Sequence, residues 1–464
     1  MGRVAIKEEF KRMMEGILGG ESADLLTALD TEPQVSIRYN PFKVQSRPEG
    51  ERVPWNRYGY YLDARPIFTF DPLFHAGNYY VQEAASMFVG HLLAGATDGE
   101  EGLRLLDLCA APGGKTTLYS AQVGLEGLVV ANEPVRNRAK VLAENVRKWG
   151  LGNVAVTMND PQAIAEALPE WFDVVAVDAP CSGEGMFRKD DRAREEWTPE
   201  AVRMCAQRQR TILSEAWRAL RPGGVLIYST CTFNRAEDEE QVEWLAEEFY
   251  TEQVDIEIDP AWGITVTEAA GHKCYHFYPH RSRGEGLFAV VLRKGEARSK
   301  QRPTRPRRTA LTPAPKKEYG ELGRWVSSPE SMRFATAGDR YFGYYEWHSE
   351  PMSYVSDRLN VIYSGVCMGQ MFGGKLRPDH ALALFHDLSD KVVRTELSRS
   401  EAMAYLRRES PAEIAAKMSE GIGALCYEGC AIGWAKRIGA RINNMLPSEL
   451  RVLTKESEEE IWQE

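Results

Sequence analysis

The chain has 464 residues, a hydrophobic fraction of 43% and a formal net charge of −10. This length exceeds what one hydrophobic core can organise, so we expect roughly two to four domains, and the apolar content excludes a disordered protein. The first residues carry scattered charges that do not fit a secretory signal, and no apolar run is long enough for a membrane helix; we therefore expect a soluble, cytoplasmic protein without a membrane partner.

The N-terminal region is predicted to be helical up to about residue 35. Apolar residues recur there at helical spacing until Gly19 and Gly20, and a second helix begins at Ser22. A short strand follows over 36–40, and apolar residues again recur at helical spacing from Gln82 to Leu93. We interpret residues 1–100 as an N-terminal module on the substrate side of the protein.

From Gly102 the sequence alternates between strands and amphipathic helices. This order predicts a Rossmann-like α/β domain with a parallel sheet and right-handed crossovers over residues 101–295. The segments 274–278 and 287–292 should form a closing antiparallel pair. The predicted parallel strands cover residues 103–109, 127–132, 153–158, 173–178 and 224–230.

The segment after this domain is basic and rich in proline. Between Arg293 and Lys317 there are ten Lys or Arg residues and one acid, Glu296. We interpret residues 296–318 as a linker, which could also act as an arm that contacts phosphate groups. A first C-terminal domain is expected over 319–388 and a β-rich domain over 389–464, in which Gly433 to Asn444 alternates like a strand with one solvated face.

The cysteines do not suggest a disulfide framework or a metal site. Eight cysteines in a chain of this size are too sparse for disulfide-dependent folding. Cys426 and Cys430 could lie on one helix face, but no neighbouring Cys or His completes a zinc site. We therefore expect no bound metal, and we expect the protein to be a monomer.

The loop after the first predicted parallel strand indicates a nucleotide-type ligand. Residues 105–117 read LLDLCAAPGGKTT: an apolar strand, an acid, then small residues that expose backbone N–H groups before a helix. A phosphate-binding P-loop is excluded because Cys109 stands where it needs a glycine, and the dinucleotide fingerprint GxGxxG is absent. A ligand with a carboxylate end and an adenosine end, such as S-adenosylmethionine, fits this loop.

Acids follow the other predicted strands. Ligands of such sheets lie beyond the carboxyl ends of the strands. Glu133 could bind ribose hydroxyls, Asp160 lies where an adenine edge would be, and Asp178 ends the fourth strand. One such acid is more often a helix cap, but acids in register on successive strands indicate a ligand site.

Two cysteines at adjacent strand ends suggest covalent chemistry. Cys181 follows Asp178 and Cys231 ends the fifth strand. A thiolate that adds to C6 of cytosine makes C5 nucleophilic towards a methyl group. Asp178 could form hydrogen bonds to the cytosine ring, and the second thiol could assist release of the attacking thiolate from C6. These residues alone do not decide which thiol attacks.

The catalytic region strongly resembles the Sun-type family of RNA (cytosine-C5) methyltransferases. The resemblance rests on LDLCAAPGGKTT, Glu133 with Arg136 and Arg138, VVAVDAPCSGEGMFRKD and RPGGVLIYSTCTFNRAEDE, in matching order over residues 103–242. It implies that Cys231 is the nucleophile, that Cys181 assists release and that Asp178 is catalytic. It further implies that S-adenosylmethionine is held by Cys109, Ala110, Ala111, Pro112, Gly113, Gly114, Lys115, Glu133, Arg138, Asp160 and Asp178.

The resemblance extends to both ends of the chain. Residues 36–40 and 82–87 resemble the family's N-terminal motifs, except that Tyr39 stands where a smaller residue is expected. Residues 375–384 and 433–451 are similar to the tail of the bacterial small-subunit rRNA methyltransferase F branch, which ends in a PUA-like RNA-binding domain. The implied function is methylation of a cytosine C5 in ribosomal RNA; transfer RNA as substrate, or an inactive RNA-binding assembly factor, are the alternatives.

Overall fold

The computed structural model describes residues 3–43, 50–296, 305 and 311–454. Most of the predicted basic linker, residues 297–304 and 306–310, therefore lies outside the described residues. Within the described residues, no helix has the length and apolar character needed to cross a membrane.

The N-terminal module has the two predicted helices and a small antiparallel sheet. The sheet order is β2-β1-β3, so the predicted strand at 36–40 is its central strand. The helix predicted from Gln82 begins as a 3₁₀ turn at Ala85 and becomes α-helical at Phe88. The elements are α1 Glu8–Leu18, α2 Ser22–Leu29, β1 Val35–Tyr39, β2 Gly59–Leu62, α3 Pro72–Ala76, β3 Tyr79–Val81 and α4 Phe88–Thr97.

The predicted parallel sheet is confirmed. Its order β8-β7-β4-β5-β6 is parallel throughout, and β12 adds antiparallel to β8, with β11 beside it as predicted. The elements are β4 Arg104–Asp107, α5 Gly114–Gln122, β5 Leu128–Asn132, α6 Arg136–Trp149, β6 Val154–Thr157, α7 Pro161–Ala167, β7 Phe172–Asp178, α8 Asp191–Glu196, α9 Pro199–Ala219, β8 Leu220–Thr230, α10 Glu239–Glu248, β9 Thr251–Gln253, β10 Thr265–Ala269, β11 His272–Phe277 and β12 Leu287–Lys294.

The strands are apolar on both faces because helices cover both sides of the sheet. Leu105 and Val129 belong to one buried cluster, while their neighbours Leu106 and Val130 belong to the cluster on the other side. Successive strand residues point to opposite faces, so this pattern is the reason that the strands read as continuous apolar runs.

The C-terminal half contains two further sheets, of order β13-β14-β15-β17-β18 and β19-β20-β21-β22. They share one core, in which Trp325 packs edge-on against Trp434 at 5.4 Å between ring centroids. The elements are β13 Thr312–Pro313, α11 Tyr319–Gly323, β14 Met332–Ala337, β15 Arg340–Tyr345, α12 Ser349–Ser356, β16 Val361–Ser364, β17 Val366–Phe372, β18 Lys375–Pro378, α13 His380–Ala383, β19 Arg394–Glu396, α14 Arg399–Leu406, α15 Ala412–Lys417, β20 Gly421–Tyr427, β21 Cys430–Ile438 and β22 Arg441–Asn444.

Two local predictions in this half are wrong. The segment from Gly433 to Asn444 is not one strand but the end of β21, a turn and β22, because Gly439 at φ 61° reverses the chain. Cys426 and Cys430 do not share a helix, since they lie on the antiparallel strands β20 and β21. The predicted domain boundaries stay a prediction, and one strand crosses them: β16 pairs antiparallel with β6 at the edge of the large sheet.

Candidate active site at the carboxyl ends of the parallel strands

The strand order brings the predicted acids and thiols to one edge. Strand β7 lies between β4 and β8. Asp178 at the end of β7 is therefore flanked by Asp107 at the end of β4 and by Cys231, which follows β8. Ser229 Oγ donates to Asp178 Oδ1 at 3.0 Å, which ties the ends of β7 and β8 together. Cys181 and Cys231 therefore follow adjacent strands at this edge.

The two cysteines are in direct contact. The Sγ atoms of Cys181 and Cys231 lie 3.0 Å apart, and both residues are free thiols, each partly buried. Gly185 N–H donates to the Cys231 carbonyl at 2.8 Å, so the loop that carries Cys181 is fastened to the backbone of Cys231. The hydrogen bond to Cys231, followed by burial, holds the pKa of Cys181 well above its usual value.

An ion pair stands beside the thiols. Lys115 Nζ lies 2.8 Å from Asp178 Oδ2. Burial alone would lower the pKa of Lys115, but the negative charge of Asp178, with those of Cys231 and Asp107, raises it. Lys115 therefore remains a charged ammonium group at this edge of the sheet.

The cofactor loop is held open by α6. Gly113 has φ 114°, a conformation that favours glycine, and a Cβ there would lie 3.2 Å from the Leu142 side chain. Asn145 Nδ2 donates to the Pro112 carbonyl at 2.8 Å, and Arg138 Nη2 donates to the Ala111 carbonyl at 3.2 Å. The predicted loop, residues Cys109 to Lys115, is thus fastened to α6 through the carbonyls of Ala111 and Pro112.

Glu133 lies where the prediction places it, after β5. Its side chain is 2% exposed, Oε1 accepts from Val135 N–H at 2.9 Å, and Oε2 lies 3.4 Å from Arg138 Nη2. Arg138 therefore joins Glu133 to the loop. Asp160, by contrast, is exposed at the start of α7 and makes no capping hydrogen bond, so its carboxylate is accessible to a ligand.

Asp107 offers a specific test of the fit to S-adenosylmethionine. Its Oδ2 accepts from Thr116 Oγ1 at 2.6 Å, while the buried Oδ1 has no partner among the described residues. Burial raises the pKa of this carboxyl to about 7. Asp107 Oδ1 is thus a buried acceptor that lacks a donor, and it lies near the exposed backbone of the loop and near a second carboxylate, Glu133. A ligand that carries hydrogen-bond donors for these carboxylates and a small polar end would fit. The residues present therefore fit this cofactor.

Cys109 is a loop residue and not a third reactive thiol. It is packed against the apolar cluster below the sheet edge, and burial raises the pKa of its thiol. Cys426 and Cys430 lie in the C-terminal sheet, away from this edge. Among the described residues, no group of three or more His, Cys, Asp or Glu side chains could hold a metal ion.

Sequence reasoning missed the acids that organise the thiol loops. Glu237 accepts hydrogen bonds from Ser182 and Asn234, and Glu184 accepts one from Asn234 as well. Asp238 Oδ1 accepts from the hydroxyls of Thr230 at 2.6 Å and Thr232 at 2.9 Å. These acids belong to the motifs DAPCSGEG and TFNRAEDE. Their positions in segments that follow buried strands could have indicated that they bond the thiol loops.

Two features of the N-terminal module were also missed. Arg38 donates to Gln82 Oε1 at 2.7 Å and to the Gly114 carbonyl at 3.1 Å, so the module contacts the cofactor loop. Tyr39, the residue that departs from the expected pattern, packs edge-on against Tyr60 and Tyr79 at centroid distances of 5.5 and 6.1 Å. Its size is accommodated by an aromatic cluster.

Comparison with known proteins agrees with this geometry. Three family models match the chain: the 16S rRNA methyltransferase RsmB/F over residues 95–293, the N-terminal domain of 16S rRNA methyltransferase RsmF over 6–84, and the methyltransferase RsmF PUA domain over 392–452. Ribosomal RNA small subunit methyltransferase F of Escherichia coli O9:H4 (strain HS) is 34% identical in an alignment of 462 positions, gaps included, that covers 92% of each chain. The protein of that name in Shigella flexneri serotype 5b (strain 8401) is 32% identical in an alignment of 465 positions that likewise covers 92% of each chain.

Solved structures share the catalytic fold. A methyltransferase homolog from Pyrococcus horikoshii superposes with a TM-score of 0.53 at 26% identity, and the match covers 62% of this chain and 95% of that one. NSun6 from the same organism, solved with SFG, has a TM-score of 0.51 at 20% identity over 63% of this chain and 99% of that one, which shows the fold alone. The fold is that of the S-adenosylmethionine-dependent methyltransferases, followed by a PUA domain, as the sequence predicted.

Proposed function

This chain belongs to the 16S rRNA methyltransferase RsmB/F family, and we propose that it methylates C5 of a cytosine in small-subunit ribosomal RNA through a covalent Cys231 adduct. It is an S-adenosylmethionine-dependent rRNA methyltransferase. The finer claim concerns the atom that is methylated and the route. The observation that carries it is the contact of two free thiols, 3.0 Å apart, beside the Lys115 to Asp178 ion pair.

A thiol pair at this place has a specific chemical use. Methylation of a nitrogen or oxygen atom needs no protein nucleophile, whereas C5 of cytosine becomes nucleophilic only after a thiolate adds to C6. S-adenosylmethionine, when bound, supplies the electrophilic methyl group. The positive charge of Lys115 supports the thiolate of Cys231, and the resemblance to the Sun-type family assigns this residue as the nucleophile.

The proposed steps balance as follows. A bond forms between Cys231 Sγ and C6. The electron pair that this addition places at C5 forms the new carbon–methyl bond, while the bond between that methyl group and the sulfonium sulfur of the donor breaks and leaves a thioether. The C5 proton is then lost to a base, and the Sγ–C6 bond breaks to restore the ring and the Cys231 thiolate. Asp178, which Ser229 and Lys115 hold in place, is positioned to bond the cytosine ring during these steps. Cys181 is the proposed assistant in release.

The substrate base must leave its stack to reach this edge, because C5 and C6 both have to meet groups of the protein. The PUA domain and the N-terminal module are the proposed contacts to the surrounding RNA. We propose a cytoplasmic location from the ribosomal substrate. The domain bounds, the monomeric state and a contribution of the basic linker to RNA binding also remain proposals.

The proposal is tested with RNA from a strain that lacks the gene. Purified protein and radiolabelled S-adenosylmethionine are incubated separately with 16S rRNA, small ribosomal subunits and bulk transfer RNA, and bisulfite sequencing maps any 5-methylcytosine. We expect one or a few modified cytosines in 16S rRNA or the subunit, and none with Cys231→Ala. Label in transfer RNA alone would show that transfer RNA, and not ribosomal RNA, is the substrate. Label at another atom, or no label, would overturn the proposed chemistry.

A further inference from the structure

Two thiols in contact pose a question of assignment that the fold alone does not answer. Both lie at the same sheet edge, 3.0 Å apart, and either could in principle attack C6. The charged groups around them are not arranged symmetrically, however. Lys115 is paired with Asp178, which also bonds Ser229 two residues before Cys231, and a carboxylate, Glu237, bonds the residue after Cys181.

Glu237 is buried and bonded on both oxygens. Oε2 accepts from the backbone N–H of Ser182 at 3.0 Å and from Gln209 Nε2 at 2.8 Å. Oε1 accepts from Asn234 Nδ2 at 2.9 Å and from the Ser182 hydroxyl at 2.5 Å. Because each oxygen faces at least one N–H donor, this geometry suits the ionised carboxylate, although burial raises the pKa of Glu237.

This carboxylate bonds to Ser182, the residue that follows Cys181. The N–H that Glu237 accepts belongs to the peptide bond between Cys181 and Ser182, so the negative charge lies within a few bonds of the thiol. Placed there, it opposes ionisation of Cys181, and its charge is among the causes that raise the pKa of this thiol. The acid next to Cys231 is different. Asp238 accepts only hydroxyl hydrogen bonds, from Thr230 and Thr232 on either side of Cys231, and its Oδ2 has no partner among the described residues, so burial favours its neutral form and raises its pKa.

We propose that Glu237 is a positioning residue that keeps Cys181 a neutral thiol in the free enzyme, so that Cys231 alone attacks the base. This inference rests on the proposed function, since it assigns roles to the two thiols of that reaction. Glu237 also joins the loops of the two cysteines through Ser182 and Asn234, and this link fixes the contact between the sulfur atoms.

The remaining ionisable groups around the pair come from four helices and strands and from the loops that follow β7 and β8. They do not replace Glu237, because none of their side chains accepts a hydrogen bond from Ser182 among the described contacts. They are Asp178 on β7, Lys115 on α5, Tyr228 on β8, Cys205 and Arg208 on α9, Glu184 in the loop after β7 and Asp238 in the loop after β8.

The test measures thiol titration and needs no RNA. In full-length protein carrying Cys231→Ala, iodoacetamide alkylation of Cys181 is followed by mass spectrometry of its peptide from pH 6 to pH 10. Adding Glu237→Gln should shift the midpoint of alkylation down by about one pH unit or more, which makes Cys181 about tenfold faster to react near pH 8. The amide retains the shape of the side chain while it removes the charge.

Two control variants distinguish the effect of the Glu237 charge from the effect of loosening the loops around the cysteines. Glu184→Gln removes another buried carboxylate that bonds Asn234, Trp197 and Phe233, and Ser182→Ala removes a contact to Glu237 but leaves its charge. Both should leave the Cys181 midpoint within about 0.3 pH unit. An unchanged midpoint in Glu237→Gln, or an equal shift in Glu184→Gln, would overturn the inference.

A second measurement covers the case in which Glu237→Gln does not fold. Cys231 in Cys181→Ala protein should be alkylated at least about tenfold faster at pH 7.5 than Cys181 in Cys231→Ala protein, and equal rates would contradict the proposed asymmetry. The two proposals fail separately. If the methylation assay finds no 5-methylcytosine, the function is wrong, whereas the thiol titration can still stand or fall by itself.

Discussion

Arg38 Nη2 donates to Thr117 Oγ1 at 2.7 Å, and this bond joins the N-terminal module to the helix that follows the cofactor loop. The guanidinium group is buried and lies 4.5 Å from the centre of the Trp149 ring. Burial lowers the pKa of Arg38 to about 9. A side chain so enclosed is held by its contacts, and those contacts include the carbonyl of Gly114. The N-terminal module is therefore part of the support of the cofactor site.

Replacing Arg38 should weaken cofactor binding. Arg38→Met removes the donors to Thr117 and Gly114, and loss of such charged hydrogen bonds should raise the Kd for S-adenosylmethionine about tenfold. Calorimetric titration of the purified variant measures this. Arg52→Met, an exposed change in the same module, is the control and should leave the Kd unchanged. Equal Kd values for native and Arg38→Met protein would contradict a supporting role.

Replacement of the two cysteines should block different steps of the reaction. Cys231→Ala should abolish both turnover and any RNA adduct that survives denaturation, because no sulfur remains to bond C6. Cys181→Ala should form the adduct and accumulate it, since release is impaired. Denaturing gels of protein mixed with RNA and S-adenosylmethionine separate these outcomes. Cys205→Ala, a half-buried thiol on α9, should behave like the native protein; an adduct in Cys231→Ala would reverse the assignment.

Asp107 should make the apoprotein less stable as pH rises. Its folded pKa of about 7 lies above the ordinary 3.8, so between these values the folded protein holds the proton more tightly than the unfolded chain. The stability from this group is therefore present below about pH 4 and is lost as pH rises through 7. Asp107→Asn should raise the urea midpoint at pH 8 more than at pH 5, by on the order of 1 to 4 kcal/mol in unfolding free energy.

The matched control for Asp107 is Asp160→Asn. Asp160 is an exposed acid at the same edge of the sheet, so its replacement should change the urea midpoint little and by the same amount at both pH values. A gain for Asp107→Asn that does not depend on pH would show that the carboxyl group is not protonated differently in the folded and unfolded states.

The last hairpin of the PUA domain should contribute to RNA affinity through two exposed cations. Register places Ile438 opposite Arg441, and Lys436 lies two residues before Ile438, so Lys436 and Arg441 share one solvated face. The double change to Ala should weaken RNA binding and lower the slope of log affinity against log salt by about 1 to 2. Binding measured between roughly 50 and 200 mM salt tests this.

Arg437 is the control for these cations, because it points to the opposite face of the hairpin. Its guanidinium donates to the Met418 carbonyl and, at 2.8 Å, to the Gly439 carbonyl. Arg437→Ala should therefore lower thermal stability and leave the salt slope of RNA binding unchanged. A reduced slope in this variant would place the phosphate contacts on the other face.

The sequence by itself determined the catalytic architecture. Apolar runs, each followed by an acid or a thiol, predicted the strands β4 to β8 and the ligand edge, because a strand buried on both faces has no room for polar residues until it ends. The small residues before Lys115 predicted the cofactor loop for a similarly local reason. The motifs identified the family, which the comparisons confirmed.

Only the tertiary structure decided which groups meet. The hairpin at Gly439, the addition of β16 to β6, and the bonds of Glu237 to Ser182 and Asn234 all join segments whose pairing no local pattern encodes. The 3.0 Å contact of Cys181 with Cys231 is of the same kind, since it depends on the order of the strands and on buried acids that fasten two loops. Local sequence sets what each strand end carries; packing in three dimensions sets the distances between strand ends.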